Sequence, residues 1–241
     1  EAEWHTEPAP AAFTAVGFPN QETMETDYAI KIPYAMGIIA TRSLDEQVTG
    51  IIDLIDEHEV RIRNGMIAYS FLTQLRAGDT SQELRDNFEA TKHDLGYGLL
   101  LKRYTENVVD ATEAQIKAAA KDSIPNVAPM FWSFRIMVGA GVLMLFIFAA
   151  AFWQSTRHQI AEKKWVLKAA LYGLPLPWIA IECGWFVAEY GRQPWTISEV
   201  LPTFMSASSL TTSDLWFSII SITLFYSVLL VIEMFLMFKY A

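Results

Sequence analysis

Three long apolar stretches constrain this chain more than any other feature of its sequence. They cover about residues 130–154, 165–190 and 215–238. Each exceeds the roughly 20 residues that a helix needs to cross the ~30 Å hydrocarbon layer of a bilayer. Because no water reaches backbone amides in that layer, segments of this length are expected to be helices, and Pro175 and Pro177 are predicted to kink the second. The sequence therefore predicts an all-α membrane protein with three transmembrane helices.

Most of the charged residues precede these stretches. Residues 1–124 carry 21 acidic and 11 basic side chains, a net charge of −10, whereas residues 125–241 carry 6 acidic and 7 basic ones, a net charge of +1. An acidic region of this kind excludes nucleic acid as a partner, because phosphate binding needs a basic face. We expect an extramembrane loop region at 1–125 and a membrane domain at 126–241.

The short connections predict how the chain is oriented. The connection after the first apolar stretch holds Arg157, Lys163 and Lys164, whereas the connection between the second and third holds Arg192 as its one basic side chain. Lysine and arginine concentrate in cytoplasmic loops. The first connection and the C-terminus are therefore predicted to be cytoplasmic, and residues 1–125 to lie outside, in the periplasm.

Several signals predict that this outer region is mostly helical. Capping boxes would start helices at Ser43, Thr80 and Asp110, because each is followed by glutamate three residues later. Apolar residues recur with a helical period between positions 44 and 69, and the charge run DEHEVRIR at 56–63 is predicted to be a solvated helix face. The proline-containing segment 7–33 is expected to be extended or irregular.

Apart from Lys168, just inside the second stretch, four charged side chains lie within the apolar stretches: Arg135, Glu182, Glu189 and Glu233. Charge is costly in a membrane, so such residues are functional candidates. Glu182 and Glu189 are seven residues apart and fall on one helix face, with Trp185 between them. They would serve as a metal ligand or proton relay, or else Glu182 hydrogen-bonds to a neighbouring helix and Glu189 sits at the water interface.

Arg135 and Met137 form a second pair of candidates near the start of the first stretch. A buried arginine needs an anionic partner, which a carboxylate-bearing cofactor such as haem would supply. Methionine is an axial haem ligand in some proteins, although a lone methionine in a membrane helix more often serves packing. None of the four histidines lies within an apolar stretch, so any histidine ligand of a membrane haem must come from elsewhere.

The sequence GWFVAEYGRQPW at 184–195 resembles the signature of subunit I of cytochrome bd-type oxidases. Three further segments are similar to the same family: FRIMV at 134–138, IPYAMGIIATRS at 32–43 and DLGYGLLLKRYT at 94–105. The resemblance extends over essentially the whole chain, and it implies the C-terminal half of subunit I, with the long form of its quinol-binding loop.

The resemblance also implies roles for individual residues. Met137 would be an axial ligand of the iron of a low-spin haem b, and Arg135 would face that haem. Glu189 would ligate the iron of a high-spin haem b. Trp185 would lie beside the high-spin haems, and Arg192 near their propionates.

As a whole, the resemblance implies a quinol oxidase of the bacterial inner membrane. It would oxidise ubiquinol or menaquinol at the periplasmic face, where Glu1 takes part. It would reduce oxygen to water through low-spin haem b, high-spin haem b and a third haem, d or b, and so generate a proton gradient. The implied partners are the N-terminal half of subunit I, oxidase subunit II, a small accessory subunit and membrane lipid. This chain alone is expected to be inactive, because the histidine ligands belong to the N-terminal half.

From the residues alone, two interpretations without catalysis stay open. The first is a membrane sensor whose acidic outer domain binds a ligand. The second is a structural subunit of a respiratory complex that holds no cofactor. In both, Arg135 and Glu182 would join helices to one another inside the membrane.

Overall fold

The computed structural model describes residues 3–79, 81–159 and 162–240. Helices dominate these residues, and two small two-stranded sheets accompany them, which confirms the predicted all-α membrane fold. The chain divides into two compact units, Glu1–Met205 and Ser206–Ala241.

The first part of the chain forms a hairpin and five helices. The hairpin pairs β1 (Phe13–Asn20) with β2 (Glu25–Ile32) in antiparallel register. The helices that follow are α1 (Ala35–Ala40), α2 (Ile51–Arg76), α3 (Gln82–Thr91), α4 (Leu95–Leu99) and α5 (Glu113–Asp122). Short 3-10 turns at Lys92–Asp94, Leu100–Arg103 and Val108–Asp110 connect the last three helices.

The predicted membrane spans are present as helices. They are α6 (Val127–Thr156), the pair α7 (Lys164–Gly173) and α8 (Leu176–Tyr190), and α9 (Thr212–Tyr240). All are long and apolar enough to cross a membrane. The second span breaks after Gly173, immediately before Pro175, so the kink predicted from its prolines is confirmed. Between α8 and α9, β3 (Trp195–Ile197) pairs with β4 (Leu201–Pro202).

The core of the helices before α6, which we call the outer region after its predicted location, lies where α2 packs on α4 and α5. Buried members of this core are Ile62, Tyr97, Leu100, Leu101, Val108, Ile116, Ala119, Ala120 and Trp195. The helices α2 and α4 approach so closely that a Cβ on Gly65 would lie 2.3 Å from the backbone nitrogen of Gly98. Glycine at this crossing is therefore a requirement of the packing.

The hairpin is a feature that sequence reasoning did not specify beyond an extended segment. It packs on the beginning of α6, where the rings of Phe13 and Phe134 lie 6.2 Å apart and those of Phe18 and Trp132 lie 5.7 Å apart. The outer part of the chain is thus fastened directly to the first membrane helix.

The prediction that a helix starts at Ser43 is wrong. The hydroxyl of Ser43 accepts a hydrogen bond from the amide of Asp45 at 3.1 Å in a turn, and α2 begins only at Ile51. Its N-cap is Gly50, whose amide donates to the Thr6 hydroxyl at 2.9 Å. A contact with the start of the chain, which no local motif reveals, sets where this helix begins.

The prediction of a helix start at Asp110 is wrong by two residues. Thr112 caps α5, and its side chain forms a capping box with Gln115. The threonine–glutamine pair satisfies two amides reciprocally, and so it determines the start of the helix. Thr80, the third predicted cap, lies outside the described residues, and α3 begins at Gln82.

The second unit consists mainly of α9. All of its described side chains are exposed, and most are large and apolar. A helix that is apolar on every side is stable only when lipid or other protein surrounds it.

Candidate functional site

The helix α6 lies antiparallel to the second span, and glycines mark the places where they touch. A Cβ on these glycines would lie 2.7 to 3.0 Å from a side chain of α6: Met130 at Gly191, Met137 at Gly184 and Ile147 at Gly173. The sulfur of Met137 therefore points towards α8 at the level of Gly184. Glu189 is five residues further along α8, a rise of ~7.5 Å. The two predicted iron ligands thus lie near the same end of two adjacent helices.

Arg135 is held by the hairpin. Its Nε donates to the carbonyl of Ala15 at 2.9 Å, a second nitrogen donates to the carbonyl of Thr14, and a third donates to that of Phe131 at 2.8 Å. Its guanidinium carbon lies 3.2 Å from the centre of the Phe131 ring. The arginine predicted to face a haem therefore also joins β1 to α6, which fixes the position of Met137 two residues later.

Glu189 and Arg192 form an ion pair at the end of α8. Their side chains are 46% and 43% exposed, so the pair lies at the surface of this chain. The amide nitrogen of the Gln193 side chain donates to the carbonyl of Glu189 at 3.3 Å. The structure thus brings the two predicted residues together.

One face of α8 is unusually apolar for an exposed surface. Trp178 is 71% exposed, Ile181 64% and Trp185 65%, and Glu182 is exposed beside them. Contiguous exposed apolar side chains mark a surface that binds another protein, lipid or a large apolar ligand. The face that carries Trp185 is the one on which the sequence predicted a functional stripe.

The chemistry of the donors fits two different haem irons. Among residues 3–79, 81–159 and 162–240, no group of three or more His, Cys, Asp or Glu side chains converges to hold a metal ion. A haem iron needs only axial ligands from protein, and both methionine and anionic side chains serve in that role. Met137 offers a thioether and Glu189 a carboxylate, and the space beside Gly184 admits the methionine sulfur. Glu1 lies outside the described residues.

A small cavity lies beside the hairpin near the start of the chain. It encloses about 300 Å³, and its lining includes Glu3, Trp4, Thr14 and Lys31. Glu3 is 6% exposed, accepts a hydrogen bond from the Thr14 hydroxyl at 3.1 Å, and lies 3.8 Å from the Lys31 ammonium. A buried carboxylate in a cavity is a candidate for binding a polar ligand.

A cluster of charged residues that the sequence did not predict joins α2 to the segment after α8. We call it the Arg61 cluster; its members are Arg61, Asp94, Tyr97 and Glu199. The Nε of Arg61 donates to Asp94 at 2.8 Å, and its two terminal nitrogens donate to the two carboxylate oxygens of Glu199 at 2.9 and 2.8 Å. The prediction that the run at 56–63 is a solvated face is therefore wrong at Arg61, whose side chain is 20% exposed.

The electrostatics of the Arg61 cluster follow from these contacts. Hydrogen bonds from Arg61 hold the pKa of Glu199 below its ordinary value, and the hydrogen bonds to Glu199 raise the pKa of Arg61. Burial raises the pKa of Tyr97 to about 12. Arg61 and Glu199 are therefore charged, and Tyr97 is neutral, throughout the physiological pH range. No local signal identifies this pairing, because Arg61 and Glu199 are 138 residues apart in sequence.

A partly buried histidine, His58, lies beside this cluster, with its ring 5.0 Å from that of Tyr97. Burial is the largest cause that lowers its pKa from 6.5, and Arg61 adds to the effect, while Glu57 and Glu199 oppose it. Its Nδ1 lies 2.7 Å from the Ser123 hydroxyl, which itself donates to the Ala120 carbonyl at 2.6 Å. His58 is thus held neutral, with Nδ1 donating to Ser123.

We expect the outer region to lose stability as pH falls below about 6.5. Because the pKa of His58 is lower in the folded state, the unfolded chain binds the extra proton first, so the stabilisation is complete above the unfolded pKa and is lost as pH falls below it. Thermal unfolding of the full-length protein between pH 8 and about pH 5.5, above the range where most carboxylates titrate, measures this. The variant His58→Gln should show a flatter pH dependence than the wild type. Equal slopes for His58→Gln and the wild type would contradict the assignment.

These features define an α-helical membrane protein with a folded outer region and two chemically distinct ligand candidates at one end of its helices. The family model for cytochrome bd terminal oxidase subunit I matches residues 1–241. The chain therefore belongs to the cytochrome bd terminal oxidase subunit I family, as the sequence resemblance indicated.

Similarity to two curated relatives covers the chain but only part of each relative. The chain is 47% identical over 241 residues to cytochrome bd-II ubiquinol oxidase subunit 1 of Escherichia coli (strain K12), which is 100% of this chain and 47% of that protein. It is 27% identical over 240 residues to cytochrome bd ubiquinol oxidase subunit 1 of Bacillus subtilis (strain 168), 99% of this chain and 39% of that protein. The chain thus spans less than half the length of these curated relatives.

Proposed function

We propose that this chain is part of a terminal oxidase of the bacterial inner membrane that oxidises quinol at the periplasmic face and reduces oxygen to water through haem groups. The observation that carries the proposal is the placement of a thioether, Met137, and a carboxylate, Glu189, at one end of two adjacent membrane helices. The family match over residues 1–241 supports it, because terminal oxidases of this family carry haem.

In this proposal each candidate residue has a defined task. Met137 would hold the iron of a low-spin haem b through its sulfur, and Arg135, anchored on β1, would keep that part of α6 in place. Glu189 would hold the iron of a high-spin haem b through its carboxylate, while Trp185 would cover that site and Arg192 would pair with the negative charge beside it. The haems, including a haem d or b at the oxygen site, supply electron transfer and oxygen reduction when bound.

The outer region handles quinol in this proposal. Glu1 takes part in the oxidation of quinol. Glu3, which lines the cavity together with Lys31, is two residues from Glu1 in sequence. In the predicted orientation, the basic connection 157–164 and the C-terminus face the cytoplasm, and residues 1–125 face the periplasm. Quinol therefore releases its protons into the periplasm, and the reaction generates a proton gradient. The proposed partners are the rest of subunit I, oxidase subunit II, a small accessory subunit and lipid, and the chain by itself is inactive.

The proposal is tested by expressing the full-length protein with its partner subunits in a host that lacks other quinol oxidases. Reduced-minus-oxidised spectra of the membranes should show low-spin and high-spin haem signals, and added quinol should drive oxygen uptake. Residues 1–241 expressed alone should support neither low-spin haem binding nor uptake. Membranes that contain the full-length protein but no haem signal would overturn the proposal in favour of a sensor or a structural subunit without cofactor.

A further inference from the structure

The segment that follows α8, residues 191–203, is fastened to the outer helices by the Arg61 cluster. We call it the post-α8 segment. Arg61 lies on α2. Asp94 ends the 3-10 turn before α4, Tyr97 lies within α4, and Glu199 lies between β3 and β4. The guanidinium of Arg61 uses its Nε for Asp94 and both terminal nitrogens for Glu199. A single arginine therefore joins three separate elements.

This contact differs from an ordinary surface ion pair, which contributes little to stability. Asp94 is 3% exposed, and its second oxygen accepts from the Asn64 amide at 3.1 Å. The Arg61 guanidinium carbon lies 4.1 Å from the centre of the Tyr97 ring. Two parallel hydrogen bonds to one carboxylate, with the cation stacked on a ring, fix both distance and orientation.

Backbone and apolar contacts hold the same segment. A Cβ on Gly96 would lie 2.0 Å from the carbonyl oxygen of Glu199, so α4 contacts the backbone of the post-α8 segment directly. Glu199 itself has a φ of 61°, in the left-handed region that side chains other than glycine seldom adopt. The rings of Tyr97 and Trp195 lie 5.1 Å apart, and Trp195 is 8% exposed. Ionic, apolar and backbone contacts thus converge on one short stretch.

The post-α8 segment begins where α8 ends, and hydrogen bonds link it to the predicted ligand. Arg192 pairs with Glu189, and the Gln193 side chain donates to the carbonyl of Glu189 at 3.3 Å. The hydroxyl of Thr203 donates to the Gln193 side chain at 3.0 Å, and its amide donates to the Pro194 carbonyl at 2.7 Å. The post-α8 segment therefore forms a compact turn, and the Arg61 cluster attaches it to the outer region.

We propose that Arg61 is a positioning residue that holds the outer helices on the post-α8 segment and thereby sets the position of Glu189 and Arg192 at the end of α8. The coupling to a haem site rests on the proposed function, whereas the fastening of the segment does not. A change of the outer region on quinol binding would reach the end of α8 through this contact.

The test uses the full-length oxidase with its partner subunits and compares Arg61→Gln with Arg63→Gln. Arg63 lies two residues away on α2 and also makes a bidentate pair, with Glu113 at 2.5 and 2.7 Å, but that pair is at the surface. It therefore controls for loss of an arginine and of an ion pair on the same helix. Arg61→Lys keeps the positive charge but cannot form two parallel hydrogen bonds to one carboxylate. Its effect on the post-α8 segment should therefore lie between those of the wild type and Arg61→Gln.

Hydrogen exchange of the purified oxidase reports on the fastening. In Arg61→Gln, the amides of the post-α8 segment should exchange at least about tenfold faster than in the wild type, while Arg63→Gln leaves them unchanged. Unchanged exchange in Arg61→Gln would overturn the proposal. If Arg61→Gln does not accumulate in membranes, Glu199→Gln replaces it, because Glu199 is 48% exposed and its loss keeps the Arg61–Asp94 pair. The same increase is then expected, and its absence overturns the proposal equally.

Spectra of the same membranes report on the coupling. Arg61→Gln should reduce the high-spin haem b signal relative to the low-spin signal, with Arg63→Gln at the wild-type ratio. A general loss of stability would lower both signals together and would overturn the positioning role. An intact high-spin signal in Glu189→Leu would contradict the proposed ligand role of Glu189. Faster exchange in Arg61→Gln would still show that Arg61 holds the post-α8 segment on the outer helices.

Discussion

If Met137 ligates the low-spin haem b as proposed, replacing it with leucine in the full-length protein should remove the low-spin signal and leave the high-spin signals in place. Leucine and methionine have similar volumes, so the exchange costs less than about 1.5 kcal/mol in packing and removes chiefly the sulfur. That sulfur lies against Gly184 at the contact of α6 with α8. Because the change would remove the proposed iron ligand, we expect quinol-dependent oxygen uptake to fall by at least about 100-fold.

Two variants make this result specific. Met144→Leu changes another methionine of α6, on the apolar groove beside α7 and α8, and should leave both signals unchanged. Glu189→Leu should give the opposite pattern, with loss of the high-spin b signal and retention of the low-spin one. If Met137→Leu keeps its low-spin signal, Met137 serves packing, and the assignment fails while family membership stands. Equal loss of both signals in either ligand variant would indicate a damaged fold.

The parts of this fold that sequence predicted correctly are those with local causes. The membrane helices follow from apolar length, and the break in the second span follows from Pro175. Each of these features is determined by residues within one or two helical turns, or within one apolar run.

The parts that sequence did not predict depend on contacts between distant residues. The start of α2 is set by Gly50 against Thr6, and the hairpin is stabilised by its packing on α6. Arg61 was predicted to belong to a solvated charge run, whereas in the structure it pairs with Glu199, 138 residues later in the sequence. A single sequence carries no signal for such a pairing, because nothing local distinguishes Arg61 from Arg63 two positions away.

Replacing Gly65 with alanine should destabilise the outer region by roughly 2 kcal/mol, even though alanine favours helices by about 1 kcal/mol over glycine. The added Cβ would lie 2.3 Å from the Gly98 nitrogen and 2.4 Å from the Asp94 carbonyl oxygen. Both are backbone atoms that cannot rotate away, so α2 and α4 must separate. That movement also draws Asp94 and Tyr97 away from Arg61, and the steric cost therefore outweighs the gain in helix propensity.

Hydrogen exchange of the full-length protein measures this effect on α4 and the post-α8 segment. A loss of roughly 2 kcal/mol corresponds to exchange about 30-fold faster in residues 95–99. The control Asp56→Ala adds alanine at an exposed position of the same helix and should leave exchange unchanged. Faster exchange in residues 191–203 of Gly65→Ala, without any change to Arg61 itself, would show that the contact between α2 and α4 determines how firmly the end of α8 is held. Wild-type exchange in both segments would mean that the two helices have room to separate without cost, and that the glycine crossing does not position the Arg61 cluster.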